Sequence, residues 1–94
     1  MLTVHVKILF HAMFKEIAGQ REILQEVNPG FTLRDMLNVL AKKYGKEFNS
    51  VIDSKTGMVS LDTLVMLNGK SIRKPDVQLR DNDVVMITVP VGGG

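Results

Sequence analysis

One amphipathic helix dominates the sequence, between Thr32 and Gly45. Thr32 is followed three residues later by Asp35, which resembles a capping box with Asp in place of the usual Glu. Gly45 occupies the position where helices commonly end, and the two preceding lysines, at 42 and 43, complement the helix dipole. We therefore predict a helix over 32–44, and its apolar face must be covered by another layer of the protein. The apolar residues recur at helical spacing on that one face: Leu33, Met36, Leu37, Leu40 and Tyr44.

The segments before and after this helix in the sequence show strand and turn patterns. Residues 3–10 alternate well, with Val4, Val6, Ile8 and Phe10 on one side and His5, Lys7 and Leu9 on the other, which is typical of a strand with one buried face. Asn68-Gly69 predicts a tight hairpin, because both central positions of a type I′ turn need a positive φ. Residues 46–61 show no clear period and are predicted to form an irregular connection with a mobile tip around Gly57. The remaining predicted elements are one or two helical turns at 13–17 and strands at 20–27, 63–67, 70–73 and 84–89.

Size and composition favour a carrier or binding module. A chain of 94 residues makes one domain and leaves little room for an enclosed active-site cleft. It has no cysteine, which excludes disulfides, thiolate metal sites and cysteine nucleophiles and is compatible with the cytoplasm.

The net charge of +2 comes from scattered residues, so we expect no nucleic-acid partner. No apolar run approaches the roughly 20 residues that span a membrane, and the first residues do not resemble a signal peptide. We expect a cytoplasmic protein without a membrane partner.

Neither the histidines nor the acidic pair near the end of the chain indicates a reactive site. His5 and His11 share a strand parity, but no spacing in the sequence supplies the further ligands that zinc needs. Asp81 and Asp83 flank Asn82 in a segment that predicts a turn before the last strand. We therefore expect no bound metal and no cofactor.

The chain ends in Pro90, Val91 and three glycines, directly after the last predicted strand. We predict a folded domain over residues 1–89 and a flexible arm over 90–94, which reaches at most about 17 Å. Glycine lacks Cβ, so an arm ending in Gly92, Gly93 and Gly94 can enter a narrow channel in another protein. Such an arm suits a C-terminal carboxylate, on Gly94, that must enter the active site of another protein.

A docking face is predicted beside this arm. Residues 63–67 and 84–89 are apolar at nearly every position, although a sheet covered by one helix buries only alternate ones. The surplus apolar side chains, with Met66 and Met86 as candidates, then form an exposed patch suited to partners. Arg73 and Lys74, with Lys70 and Arg80, add contacts to an acidic partner in this interpretation. The alternatives are that both faces are buried or self-associate, and that the basic side chains are only solvated.

In order and spacing these motifs resemble the small subunit of molybdopterin synthase and, more broadly, the ubiquitin-like sulfur carriers. The resemblance covers nearly the whole chain, and residues 46–61 are its loosest part. Asn82 stands where the family often has glycine, and Pro90 stands alone where two prolines are frequent. The matching segments are Leu9–Gly19, Phe31-Thr32-Leu33, Asn68-Gly69, Leu79–Val84 and Pro90–Gly94.

The resemblance implies a fold and a reaction. The fold is α+β, a ubiquitin-like β-grasp with a mixed sheet of about five strands and one main helix across one face. An adenylating enzyme of the ubiquitin-activating type uses ATP to adenylate the Gly94 carboxylate, which is then converted to a thiocarboxylate. The sulfur is delivered inside the large subunit of molybdopterin synthase, and Gly93-Gly94 is the family's terminal pair. The small subunit is not catalytic alone.

Three other functions remain open. The chain could be a ubiquitin-like protein modifier conjugated through the same glycine. It could be a sulfur carrier for another pathway, such as thiamin synthesis or tRNA thiolation. It could also be a non-reactive β-grasp interaction domain with an idle tail.

Overall fold

The computed structural model describes residues 3–90. The predicted elements are present, and their ends differ from the predicted ones by up to two residues. In chain order they are β1 (Val4–Phe10), α1 (Met13–Ala18), β2 (Glu22–Val27), α2 (Leu33–Tyr44), a 3₁₀ helix (Lys46–Ser50), β3 (Leu64–Leu67), β4 (Lys70–Ser71) and β5 (Asp83–Thr88). The predicted arm lies outside the described residues except for Pro90, so its flexibility stays a prediction.

The five strands form one mixed sheet in the order β2-β1-β5-β3-β4. The two central strands, β1 and β5, are parallel, and the other neighbours are antiparallel. The apolar stripe of α2 packs on one face of this sheet, where it meets the buried residues of β1, β3 and β5. This two-layer arrangement is the β-grasp fold, and the predicted fold class is confirmed.

Local chemistry sets both ends of α2. The backbone N–H of Asp35 donates to Thr32 Oγ1 at 3.1 Å, and the Thr32 N–H donates to Asp35 Oδ2 at 3.0 Å. The predicted capping box is therefore present, with Asp in the usual Glu position. At the other end, the Gly45 N–H donates to the Ala41 carbonyl at 2.8 Å, and Gly45 has a φ of 64°. Since positive φ strains most side chains, glycine suits this exit from the helix.

Residues 46–61 contribute more to the core than the sequence indicates. Phe48, Val51 and Val59 are all buried, and Phe48 packs edge-on against Phe10 with 5.6 Å between ring centroids. Gly57, the predicted mobile tip, is anchored, because Arg34 Nη2 donates to its carbonyl at 2.7 Å. The expectation of a merely irregular connection is therefore incomplete: the segment closes one end of the hydrophobic core.

Two predicted turns are present, one between β3 and β4 and one directly before β5. Asn68 and Gly69 have φ values of 51° and 85°, as the predicted hairpin requires. Asn82 has a φ of 70°, which explains why a residue tolerant of left-handed backbone occupies the turn before β5. Within residues 3–90, no helix is long and apolar enough to cross a membrane.

Candidate docking face and base of the tail

The tail begins at the end of a central strand. The N–H of His11, just beyond β1, donates to the Ile87 carbonyl at 3.1 Å and fastens the end of β5 to β1. Val89 still packs partly against the core, whereas Pro90 is exposed. The predicted site residues Val91, Gly92, Gly93 and Gly94 lie outside the described residues. Four residues beyond Pro90 place the terminal carboxylate at most about 14 Å from it.

Met66 and Met86 lie on the sheet face away from α2. They are paired directly across β3 and β5, and both side chains are half-buried. Their chain neighbours Val65 and Ile87 pair in the same ladder but are buried on the helix side. Because alternate strand residues point to opposite faces, the two methionines occupy the face that the sequence analysis assigned to a partner.

Other half-buried apolar residues extend this surface, which we call the open-face patch. Leu9 of β1 pairs with Met86, and Leu64 of β3 pairs with Thr88, the last residue of β5. The patch therefore continues across three strands and reaches the base of the tail. Its members are Leu9, Leu64, Met66, Val84 and Met86.

The structure separates the four predicted basic contacts into two groups. The Ile72 N–H donates to the Val65 carbonyl at 2.9 Å, which places the next residue, Arg73, beside the start of β3 and near the tail end. Lys74 follows it, and both are exposed. Lys70, by contrast, pairs with Leu67 at the other end of β3, and Arg80 lies before β5. Arg73 and Lys74 are therefore the pair that lies toward the tail end of the sheet.

The sequence analysis missed a basic depression on the other side of the tail. It has a volume of about 470 Å³, and His11, Lys15 and Arg21 line it together with Glu22. The antiparallel pairing of β1 with β2 brings Arg21 there, because the Phe10 N–H donates to the Arg21 carbonyl at 2.7 Å. Only the strand register, which the sequence does not reveal, shows that the two cations Lys15 and Arg21 lie at one end of the sheet beside His11. The depression and Arg73 lie on the two sides of the strand from which the tail departs.

At the end of the sheet away from the tail, the side chains of His5 and Asp81 bind each other. Asp81 Oδ1 accepts from the His5 N–H at 2.8 Å and lies 2.9 Å from His5 Nδ1, and His5 Nε2 lies 3.2 Å from Glu26 Oε1. The side-chain hydrogen bond that His5 makes to Asp81 raises the pKa of His5, and the backbone and side-chain bonds that Asp81 accepts from His5 lower the pKa of Asp81. Among residues 3–90 no group of three or more His, Cys, Asp or Glu side chains could hold a metal ion.

Comparison with known proteins places this geometry in a family. The model of the ThiS family matches residues 8–94, which include the whole glycine tail. This chain belongs to the ThiS family. It is therefore related to the ubiquitin-like sulfur carriers and modifiers, as the motif resemblance indicated.

Individual relatives and solved structures similar to this chain cover nearly all of it. Small archaeal modifier protein 3 of Haloferax volcanii is 30% identical, over 97% of this chain and 100% of its own length. The solution structure of the Haloferax volcanii HVO 2177 protein superposes with a TM-score of 0.81 and 29% identity, over 98% of this chain and 88% of that one. The putative molybdopterin converting factor subunit 1 of Pyrococcus furiosus superposes with a TM-score of 0.73 and 28% identity. The match covers 94% of this chain and 99% of that one.

Proposed function

We propose that this ThiS-family chain is a sulfur carrier for molybdopterin biosynthesis and acts as the small subunit of molybdopterin synthase. The observation that carries the proposal is the open-face patch, which reaches the end of β5 at Thr88, directly before the tail. An apolar surface that adjoins a terminal glycine arm suits a protein that docks and then inserts its C-terminus. The similarity to a putative molybdopterin converting factor subunit supports this choice of pathway.

The proposed chemistry takes place on the Gly94 carboxylate. A carboxylate oxygen attacks the α-phosphorus of ATP, and pyrophosphate leaves. The terminal sulfur of a persulfide on the activating enzyme then attacks the acyl carbon, and AMP leaves. This gives an acyl disulfide. A second thiol attacks the enzyme-side sulfur of that disulfide, which forms a new disulfide and releases the terminal thiocarboxylate. ATP is a substrate of the adenylating enzyme, and the carrier itself binds no cofactor in this scheme. The carrier contributes positioning, because docking converts transfer between two molecules into a local step.

The same face must serve two partners in turn. The adenylating enzyme and the large synthase subunit both receive the Gly94 carboxylate, so both must approach the end of β5. Met66 and Met86 suit this double use, because the unbranched methionine side chain adapts to different surfaces. Arg73 and Lys74 favour a partner with acidic residues around its tail channel.

A second candidate function is covalent modification of other proteins. It is favoured by the relative at 30% identity, which is named as a modifier. Both functions start from the same acyl-adenylate, and in the second one a lysine amine displaces AMP to form an isopeptide bond. Sulfur delivery to thiamin synthesis or tRNA thiolation would use the same thiocarboxylate with another acceptor.

Intact-mass measurement of the protein purified from its own cells tests the proposal. Exchange of one terminal oxygen for sulfur adds about 16 Da. The molybdopterin assignment predicts this species together with co-purification of a large subunit that consumes it. Covalent ladders that disappear when Gly93 and Gly94 are removed would support the modifier instead. If neither signal appears and deletion of the two glycines has no effect in cells, the tail is idle and the proposal is wrong.

A further inference from the structure

A second exposed surface lies on the side of the sheet farthest from β4, at the edge strand β2. β2 has β1 on one side and no other strand of residues 3–90 on the other. The bond from the Phe10 N–H to the Arg21 carbonyl fixes which residues of β2 are bonded to β1. Since bonded and non-bonded pairs alternate in an antiparallel ladder, Glu22, Leu24 and Glu26 direct their backbone N–H and C=O groups away from β1. These groups are available to a further strand.

An apolar groove runs beside this edge, between β2 and α2. Its volume is about 260 Å³. Four apolar residues line its floor and helix side, Val27, Phe31, Met36 and Val39, and four polar ones complete it, Thr3, Gln25, Glu26 and Asn28. Val39 is 39% exposed although it belongs to α2, and Leu24 of β2 is 74% exposed on the other face of the sheet. A strand added to β2 would therefore meet apolar surface on both of its faces.

The two edges of the sheet differ in how they are protected. β4 has two residues, includes Lys70 and is followed by Pro75, and these features commonly discourage pairing with another chain. β2 has six residues, with no proline and no lysine among them. The open backbone groups and the exposed Leu24 thus lie on the less protected edge.

Charge on β2 selects among the possible occupants. Glu22 and Glu26 flank Leu24 on the same face, and both are exposed. On the β1 side of this face, His5 lies 3.2 Å from Glu26, and Lys7 pairs with Leu24, whereas no strand of residues 3–90 lies on the outer side. If a second copy paired antiparallel about Leu24, each of these carboxylates would face a carboxylate, and like charges directly opposite are destabilising. A strand with lysine or arginine at those two positions would face opposite charges instead. Charge complementarity therefore disfavours self-pairing in this register and favours a basic segment.

We propose that the edge of β2 binds an extended, basic segment of another protein by strand addition. The segment has a cationic residue at its first and fifth positions, opposite Glu22 and Glu26, and an apolar residue at its third position, opposite Leu24. Its second and fourth residues are apolar and point toward the groove beside α2. Main-chain hydrogen bonds supply affinity, and the alternate side chains supply specificity. This surface adjoins the open-face patch, because Glu22 pairs with Leu9, but it uses the backbone groups of the β2 edge, and the proposal does not depend on sulfur transfer.

The test uses the full chain labelled with ¹⁵N and a blocked peptide of sequence Lys-Val-Ile-Val-Lys. We expect chemical-shift changes confined to β2 and the facing residues 31–39, and slower hydrogen exchange at the Leu24 and Glu26 amides. A peptide with glutamate in place of both lysines should bind at least about tenfold more weakly, because two attractive pairs become repulsive. The double variant E22K/E26K should reverse this preference. K70E, at the other edge, should leave it unchanged.

A second variant separates strand addition from charge attraction alone. Leu24→Pro removes one outward N–H and should abolish binding of the lysine peptide, while unchanged shifts in α2 and β5 verify that the fold is intact. Equal affinity for the two peptides would overturn the proposal, and so would shifts confined to the open-face patch or no binding at millimolar peptide. Protection of the Leu24 amide that rises with protein concentration alone would show a second copy as the occupant. Protection that disappears when residues 91–94 are removed would show the chain's own tail there.

Discussion

Met66 and Met86 lie directly opposite each other on adjacent antiparallel strands, on the sheet face that α2 leaves uncovered. Each is half-buried, so part of each side chain is accessible to a partner. Directly opposed side chains form one continuous surface, and here that surface lies two residues before the end of β5. Its position links the apolar face to the tail, and the first prediction tests this link.

Replacing Met86 with glutamate should impair docking and leave the fold intact. A charge at the centre of an apolar interface must be desolvated, so we expect association with the adenylating enzyme to weaken by about 1–3 kcal/mol. Calorimetric titration measures the loss, and thermal unfolding checks stability. Asn38→Glu, on the exposed side of α2, is the matched control and should bind normally. Equal affinity of both variants would show that the open-face patch is not a docking face.

Gly94→Ala should fold normally and fail in transfer. A methyl group beside the reacting carboxylate displaces it within a narrow channel, and a displacement of this size can reduce a rate on the order of a hundredfold. Single-turnover thiocarboxylate formation, followed by intact mass, measures the effect. Gly92→Ala is the control, because Gly92 occupies a position where the resemblance indicates any small residue. Normal sulfur delivery by Gly94→Ala would contradict the proposed mechanism.

Phe48→Ala should cost about 3–5 kcal/mol of unfolding free energy, although Phe48 belongs to a segment without a regular pattern. The ring is buried against Phe10, Phe14 and Tyr44, so its loss leaves a cavity. Urea denaturation measures the change. Leu61→Ala, at a residue that is 78% exposed in the same segment, should change stability by no more than about 0.5 kcal/mol. A small effect at Phe48 would mean that residues 46–61 are not part of the cooperative core.

The contact between His5 and Asp81 should make stability depend on pH. Its hydrogen bond to Asp81 raises the pKa of His5 above 6.5, so this contribution is full below the unfolded value and is lost as the pH rises through the folded one. The pKa of Asp81 is lowered from 3.8, so its contribution is present above that value and is lost as the pH falls through the folded pKa. The contact therefore stabilises the fold most between pH 3.8 and pH 6.5, the ordinary pKa values of the two side chains.

Thermal unfolding of the wild type and His5→Gln measures this dependence. The difference in Tm should be larger near about pH 5.5 than near about pH 8, since only the protonated imidazole gains from Asp81 and Glu26. Lys7→Gln, on the same strand and face, is the control and should show no such trend. A difference that stays constant with pH would mean that His5 acts through packing alone.

Local patterns in the sequence predicted the elements well, because local chemistry sets them. Thr32 with Asp35, and Asn68 with Gly69, act within a few residues, and the structure contains both devices. Strand order could not be derived, because it depends on pairing between distant segments. The pairing of Met66 with Met86 and the shared location of Lys15 and Arg21 required that register. Phe48, Val51 and Val59 were also missed as a group, because their spacing follows neither a helical nor a strand period.

The location of β5 at the centre of the sheet has a mechanical consequence. β5 is hydrogen-bonded to β1 on one side and to β3 on the other, and the tail continues from its end. A partner that draws the tail into a channel pulls along the strand axis and loads both ladders in shear, rather than opening one bond at a time. The domain can therefore stay folded while a partner binds the last residue in its channel and then releases it.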